Sequence, residues 1–165
     1  MSVFSSAWRF AAVPVVLMVA APASAQLLQR KDLSYPMALT IATGALEDCK
    51  AKGYAVSVVV VDRGGDVMVA LRANDAGPHT MENARRKAYT ARTFGRSTLE
   101  WRDSTEPGKE NFGQPQLADV IPLGGGYPIR VGNDTIGGVG VSGNNQAGDE
   151  GCAKAGVDKV ADQLK

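Results

Sequence analysis

The chain contains a single histidine, His79, within the segment AGPHTMENARRKAYTARTF. One imidazole cannot build a histidine-rich metal cage or a histidine pair, but it can serve as a general base, a lone iron ligand or a helix cap. Pro78 fixes the backbone before it and Thr80 is the predicted helix cap, so the His79 side chain should be free of the helix ladder. The residues leave open a simpler alternative, an exposed loop histidine or one bonded to a backbone carbonyl.

A glycine-rich run, GVGVSG over residues 138–143, matches the G-x-G-x-x-G pattern of dinucleotide-binding proteins. That fingerprint needs its glycines between a strand and a helix, whereas the first two glycines here lie inside an apparent strand. We therefore expect these glycines to permit a bulge or the close approach of another backbone or a ligand. The next segment, SGNNQAGDE, starts at Ser142 and enters a helix. Its amides either hold an anion such as a carboxylate or form a polar loop capped by Asp149.

Several classes of chemistry lack their usual motifs in this sequence. There is no H-E-x-x-H or Cys-x-x-Cys metal motif, no G-x-S-x-G nucleophile elbow and no P-loop. The basic cluster Arg85-Arg86-Lys87 is local, and we interpret it as a solvated helix face or a contact for a carboxylate. A nucleic-acid partner is not expected, because the chain has no basic stripe that could neutralise phosphates.

Residues 1–25 have the three parts of a secretory signal peptide. Arg9 supplies the positive start, residues 10–21 are apolar apart from Pro14, and Ala23-Ser24-Ala25 forms a small-residue cleavage site. The apolar run is too short to span a bilayer as a helix. Cleavage leaves 17 basic residues (18 − 1) against 17 acidic ones. The sequence thus predicts a neutral mature domain, residues 26–165, that is periplasmic or secreted and has no transmembrane segment.

The elements that must position these residues can be predicted from periodicity and caps. A helix capped by Ser34 precedes two strands, YAVSVVVVD and VMVALR, joined by an RGGD turn. A second helix is capped by Thr80 and ended by Gly95, a short third helix follows Ser97, and residues 103–119 are loop-like. The segment VIPLGGGYPIRVGNDTIGGVGVSG contains three further strands, and a last helix begins near Asp149. The order α-β-β-α-α-β-β-β-α predicts an α+β (α/β) fold with a mostly antiparallel, five-stranded sheet covered by helices.

Four segments in this order resemble the GlcG/HbpS-like family, which is related to the C-terminal domain of PduO-type adenosyltransferases. They are VVVVDRGGDVMVALR, AGPHTMENARRKAYTARTFGR, IPLGGGYPIRVGNDTIGGVGVSG and DEGCAKAG. The resemblance spans about residues 33–165. It implies a profilin-like fold, homo-oligomers from dimers to octamers, and a role in haem binding or response. The family's Asp-Gly-Ala loop reads Asn-Asp-Ala-Gly at residues 74–77 here, and the family has no single motif position for an axial ligand.

We hypothesise an exported small-ligand-binding protein whose ligand is haem or a related tetrapyrrole, used for sensing or utilisation. Small side chains on the second helix (Ala84, Ala88, Ala91) leave room for a flat ligand, although they equally permit tight helix packing. The alternatives are an enzyme or accessory protein for a small hydroxy acid, with His79 as base and Arg85 or Arg130 as clamp, and a ligand-free accessory protein. Binding is favoured over catalysis. The candidate haem ligands are His79, Tyr35, Tyr127 and Met81, and other candidate ligand contacts are Arg72, Arg85, Arg86 and Ser142.

The two cysteines, Cys49 and Cys152, both lie on apolar helical stripes. The resemblance implies that their helices pack near each other, and an exported protein experiences an oxidising compartment. A disulfide between them is one expectation. Two buried thiols that behave as small apolar side chains are the other.

Overall fold

A computed structural model describes residues 26–165, and the predicted signal peptide lies outside the described residues. The helices are α1 (Tyr35–Ala51), α2 (Thr80–Phe94), α3 (Thr98–Ser104) and α4 (Gln146–Asp158), and the strands are β1 (Ser57–Val61), β2 (Val67–Arg72), β3 (Gly126–Val131) and β4 (Asp134–Ser142). A single 3₁₀ turn covers Gln114–Gln116 in the long loop after α3. No helix in the described residues has the length and apolarity needed to cross a membrane.

The four described strands form one antiparallel sheet in the order β2-β1-β4-β3. Strand β1 lies inside the sheet, and all five of its residues are buried. Val58 and Val60 point into the core beneath α1 and α4, while Val59 and Val61 pack with Ala84 and Ala88 of α2. The sheet is therefore covered on both faces. This explains why SVVVV shows no alternation between apolar and polar residues.

Helix α2 lies directly on the sheet where β4 has glycines in place of side chains. A Cβ atom at Gly138 would overlap the carbonyl oxygen of Ala88, and one at Gly140 would overlap that of Ala84. The glycines of the GVGVSG run thus allow the α2 backbone to approach the strand closely. This is one of the predicted roles, which were a bulge or the close approach of a backbone or ligand. It follows that the small residues of α2 permit tight helix packing and leave no slot for a flat ligand between α2 and the sheet.

The predicted five-stranded sheet is wrong at residues 120–123, which form a loop instead of a strand. Pro122 has no N–H group, so it cannot donate in a strand ladder. The neighbouring backbone groups bond to side chains of α2. The amide of Ile121 donates to Thr90 Oγ1 at 2.9 Å, and the Val120 carbonyl accepts from the Arg86 guanidinium. Because the backbone is satisfied in this way, burial of VIPL does not require a fifth strand.

Two predicted helix starts are also corrected. Helix α2 begins at Thr80 with His79 as the N-cap, and the Thr80 hydroxyl bonds to the Gly77 carbonyl and to Ser57 Oγ, each at 2.7 Å. Helix α4 begins three residues before Asp149, because Asn145 caps it by accepting from the Gly148 amide at 2.8 Å. That helix ends at Asp158.

Other local predictions are confirmed. Ser34 caps α1 and Ser97 caps α3 through their side-chain oxygens, and Gly95 ends α2 in the left-handed conformation with φ of 61°. Cys49 of α1 and Cys152 of α4 are buried and joined as a disulfide, with their Cα atoms 5.6 Å apart.

Candidate functional site

A cavity of about 600 Å³ lies at the end of the sheet where α2 and α4 both begin. This volume is within the range of small-molecule sites, about 300–1,000 Å³. Its walls come from the loops after α1, before α2 and before β3, the start of α2, the end of β4 and the first turn of α4. Most of the lining side chains are polar: Asp75, His79, Thr80, Asn83, Lys87, Ser142, Asn144, Gln146 and Asp149, with Tyr54 and Leu123 at its apolar side.

His79 is an exposed residue on the wall of this cavity. It occupies the N-cap position of α2, but its backbone is helical (φ −79°, ψ −15°) and its side chain makes no capping hydrogen bond. Its ring lies beside Gly77, where a Cβ atom would come within 3.1 Å of the ring. The His79 imidazole therefore faces the cavity. The backbone of His79 starts the helix, and its side chain takes no part in capping.

Lys87 and Asp149 form a buried ion pair in the wall of the same cavity. The Lys87 Nζ to Asp149 Oδ2 distance is 2.8 Å, and the residues are only 3% and 1% exposed. The ammonium also donates to the Val141 carbonyl at 2.9 Å, and Asp149 Oδ1 accepts from the Asn144 amide at 2.9 Å. These contacts fasten α2 to the end of β4 and to the first turn of α4.

Burial raises the pKa of the Asp149 carboxyl above its ordinary value, because the charged form loses its hydration. The Lys87 ammonium and the backbone amides of Gly143 and Asn144 oppose this rise. Gly125 closes the site beside the pair at a φ of +124°, and a Cβ atom there would lie 2.8 Å from both Lys87 Nζ and Asp149 Cβ. Glycine is thus required at this position both for the backbone conformation and for space.

Ser142 is the last residue of β4 and lines the cavity although it is 95% buried, with an exposure of 5%. It pairs across the sheet with Ser57, so the two side chains occupy the same face. The Ser57 hydroxyl bonds to Thr80 Oγ1 at 2.7 Å. The Ser142 hydroxyl has no hydrogen-bond partner within the described chain, and it is open to the cavity instead.

The other basic candidates lie away from this cavity. Arg85 is held by Glu82 and Asp119, with N–O distances of 2.8 Å and 2.7 Å, and Arg86 binds the Val120 carbonyl. Arg72 binds the Ala76 carbonyl and lines a neighbouring cavity that also contacts Tyr54. The structure therefore gives each of these guanidinium groups a protein partner.

The remaining candidates are spread over the molecule. Tyr127 and Arg130 line a different cavity, of about 710 Å³, between β3 and the end of α4. Tyr35 is exposed at the start of α1, and Met81 is partly buried against Val59 and Val61. Among the described residues, the predicted candidates therefore meet in two places: His79 and Ser142 line the cavity at the start of α2 and α4, and Tyr127 and Arg130 line the other one.

A family model described as "Haem degrading protein HbpS-like" matches residues 33–158 of the chain. The chain belongs to the HbpS-like family. This confirms the resemblance that the four sequence segments carried.

Three relatives of this HbpS-like chain illustrate the match. Protein GlcG of Escherichia coli (strain K12) is 33% identical over 110 residues, which cover 67% of this chain and 81% of GlcG. The crystal structure of a double mutant of Streptomyces reticuli HbpS has a TM-score of 0.77 and 33% identity, covering 85% of this chain and 97% of that one. A crystal structure of a PduOC:heme complex has a TM-score of 0.74 and 29% identity, covering 78% and 95% of the two chains.

Sequence reasoning missed the importance of Lys87 and Asp149 for the site of this HbpS-like protein. The sequence offers a solvated helix face or a carboxylate contact for the cluster that contains Lys87. The second alternative holds for Lys87, which lies three residues after Ala84 and four before Ala91 on the buried face of α2 and contacts the Asp149 carboxylate. Asp149 lies four residues before Ala153 on the buried face of α4. A charged residue at a buried helical position is the signal that could have found them, because such a charge needs a partner.

The mouth of the cavity has residue types that can hold haem. The His79 imidazole is free to bind iron, and exposed Tyr54 and Leu123 offer apolar surface beside it. The inner wall is polar, so it can contact only the polar edge of such a ligand. His, Cys, Asp and Glu side chains in residues 26–165 form no group of three or more that could hold a bare metal ion.

Proposed function

We propose that this protein is an exported haem-binding protein and that the His79 imidazole would hold the haem iron. The observation that carries this proposal is family membership combined with a free imidazole at the mouth of a cavity. A relative of the same fold has been crystallised as a haem complex, which supports haem as the ligand class.

In this proposal each group at the cavity mouth has a separate task. His79 would bind the iron, while Tyr54 and Leu123 would pack against the macrocycle and exclude water from one side. Bound haem supplies an iron centre whose reactivity depends on the axial ligand and on the polarity of the pocket.

Titration with haemin, followed through the Soret band, tests this function. We expect saturable binding by the wild-type protein, and His79→Ala should shift the Soret maximum and weaken binding because an imidazole ligand is lost. Met81→Leu is the matched control, since Met81 packs against the sheet and should leave the spectrum unchanged.

Two outcomes contradict parts of the proposal. A wild-type protein that gives no Soret change with haemin rejects haem binding. A His79→Ala spectrum identical to that of the wild type rejects His79 as the ligand and directs attention to Tyr54, Tyr127 and Tyr35.

Export and self-association are further parts of the proposal. The signal-peptide pattern supports cleavage before Gln26. The family resemblance favours a homo-oligomer between a dimer and an octamer. Native mass spectrometry of protein recovered from the periplasm or medium should give a multiple of the mass of residues 26–165. A full-length chain, or a monomer at micromolar concentration, contradicts the corresponding part.

A further inference from the structure

The inner part of the cavity contains a second set of ligand-binding groups, distinct from the His79 mouth. We call this the inner chamber, and we define it by Asn83, Lys87, Ser142, Asn144 and Asp149. The carboxylate of Asp75 lies at the exposed rim, where solvent weakens its field. Haem binding at the mouth does not explain why polar groups converge farther in.

The Ser142 hydroxyl is the clearest indication of a missing ligand group. The residue is 95% buried (5% exposed) and lines the chamber, yet its hydroxyl has no partner among residues 26–165. Every fully buried side-chain nitrogen or oxygen atom in residues 26–165 has a hydrogen-bond partner, so the unpartnered Ser142 hydroxyl is accessible from the chamber. The neighbouring Ser57 hydroxyl follows that rule through Thr80, at 2.7 Å. Ser142 therefore has both a donor and an acceptor available to a molecule in the chamber.

Lys87 provides a second unused donor. An ammonium group has three N–H donors, and the Lys87 group uses two of them, for Val141 O and Asp149 Oδ2. Helices α2 and α4 both direct their N-terminal ends toward the chamber, where the helix dipole favours a negative group. Asp149 neutralises the formal charge of Lys87, so the positive character comes from the remaining N–H donor and the two helix ends.

The chamber also has groups suited to a neutral hydroxyl. The side-chain amides of Asn83 and Asn144 each offer donors and an acceptor, and neither makes a side-chain hydrogen bond within the described chain. A ligand that combines a carboxylate with an adjacent hydroxyl matches both kinds of group.

We propose that the inner chamber binds a small 2-hydroxycarboxylate, with its carboxylate on Lys87 and Ser142 and its hydroxyl on Asn83 or Asn144. Neither Arg85 nor Arg130 acts as the carboxylate clamp. Arg85 is paired with Glu82 and Asp119, and Arg130 lines a different cavity. This site does not depend on haem, because its contacts lie on the inner wall.

Calorimetric titration with three matched probes tests the site: lactate, propionate and lactamide. Propionate lacks the hydroxyl and lactamide lacks the negative charge. We expect lactate to bind the wild-type protein, and each of the other two to bind about tenfold more weakly or worse, the effect of losing one good hydrogen bond. Equal binding of lactate and lactamide, or no binding of lactate at roughly 10 mM, overturns the proposal.

A pair of variants locates the binding site. Ser142→Ala should weaken lactate binding by about tenfold, because the carboxylate loses one hydrogen bond. Thr93→Ala removes an exposed hydroxyl from α2 and should bind lactate as the wild type does. Unchanged lactate affinity in Ser142→Ala overturns the proposed contact.

The comparison of lactate, propionate and lactamide uses only the wild-type protein, so it tests the proposal even if a variant folds poorly. The haem titration is separate, so loss of haem binding with intact lactate binding rejects the haem function and leaves this inference standing.

Discussion

At the residue scale, the Lys87–Asp149 pair shows how one buried contact organises the candidate site. The two charges lose nearly all contact with solvent, which is unfavourable for each of them alone. Their mutual contact and the bonds to Val141 O and the Asn144 amide compensate that cost. The pair thereby holds the start of α4 against α2 and the end of β4, the three elements that meet at the cavity.

Lys87→Met should lower the free energy of unfolding by about 3–5 kcal/mol at neutral pH, because Asp149 is left as an unpaired buried charge. The loss should shrink as the pH falls. The folded-state pKa of Asp149 is already raised by burial, so the folded protein holds its proton more tightly than the unfolded chain does. Urea denaturation at several pH values measures both effects.

The double variant Lys87→Met/Asp149→Leu is the control for this prediction. It replaces both charges with apolar side chains and should recover much of the stability lost in the single variant. A Lys87→Met protein as stable as the wild type at neutral pH contradicts the structural role of the pair.

At the element scale, the contact between α2 and β4 depends on the absence of side chains on the strand. The backbone of α2 lies against Gly138 and Gly140, and the alanines of α2 face the same surface. This close approach positions the first turn of α2 at the end of the sheet. His79, Asn83 and Lys87 therefore reach one cavity from successive turns of the same helix.

Gly140→Ala should destabilise the protein by about 3 kcal/mol or more, because its Cβ would overlap the Ala84 carbonyl oxygen and α2 would have to move. Gly151→Ala is the matched control. Gly151 is exposed within α4, and a Cβ atom there meets no described atom within 4 Å. That change should stabilise by about 0.5–1 kcal/mol. Thermal and urea unfolding compare the two variants, and equal stabilities contradict the packing argument.

Most elements of this fold could be predicted from the sequence, because their signals are local. Ser34 and Ser97 cap their helices, Gly95 ends α2, and RGGD joins two strands as expected. The prediction failed at VIPL, which is apolar enough for a strand. Its backbone hydrogen bonds go to Thr90 and Arg86, about 30 residues earlier in the chain (31 and 34 positions). No local pattern reports a partner at that distance.

At the scale of the whole molecule, the disulfide joins the first and last helices of the described domain. Cys49 and Cys152 are separated by 103 residues, and both lie in the core beneath the sheet. The bridge therefore closes the greater part of the domain into one loop, so it constrains the unfolded chain strongly.

Reduction of this disulfide should lower the free energy of unfolding by up to about 4–5 kcal/mol in the chain-entropy model. Urea denaturation with and without a reductant measures the change, and a Cys49→Ser/Cys152→Ser variant should not respond to the reductant. Thiol titration of the unfolded, unreduced protein should detect no free thiol. Two titrating thiols would show that the protein carries reduced cysteines and would contradict the prediction.

The sequence by itself determined the helices, the central hairpin, the family and the exceptional position of His79, because each depends on caps, periodicity or ordered motifs. Only the tertiary structure decided which candidates share a site. Lys87 and Asp149 are 62 residues apart, yet they form one ion pair, and Ser142 opens onto the same cavity while Arg85 and Tyr127 do not. The physical reason is that the role of a buried charge or hydroxyl depends on its hydrogen-bonding partners, which lie on other elements. Those partners come into contact only when the helices pack on the sheet.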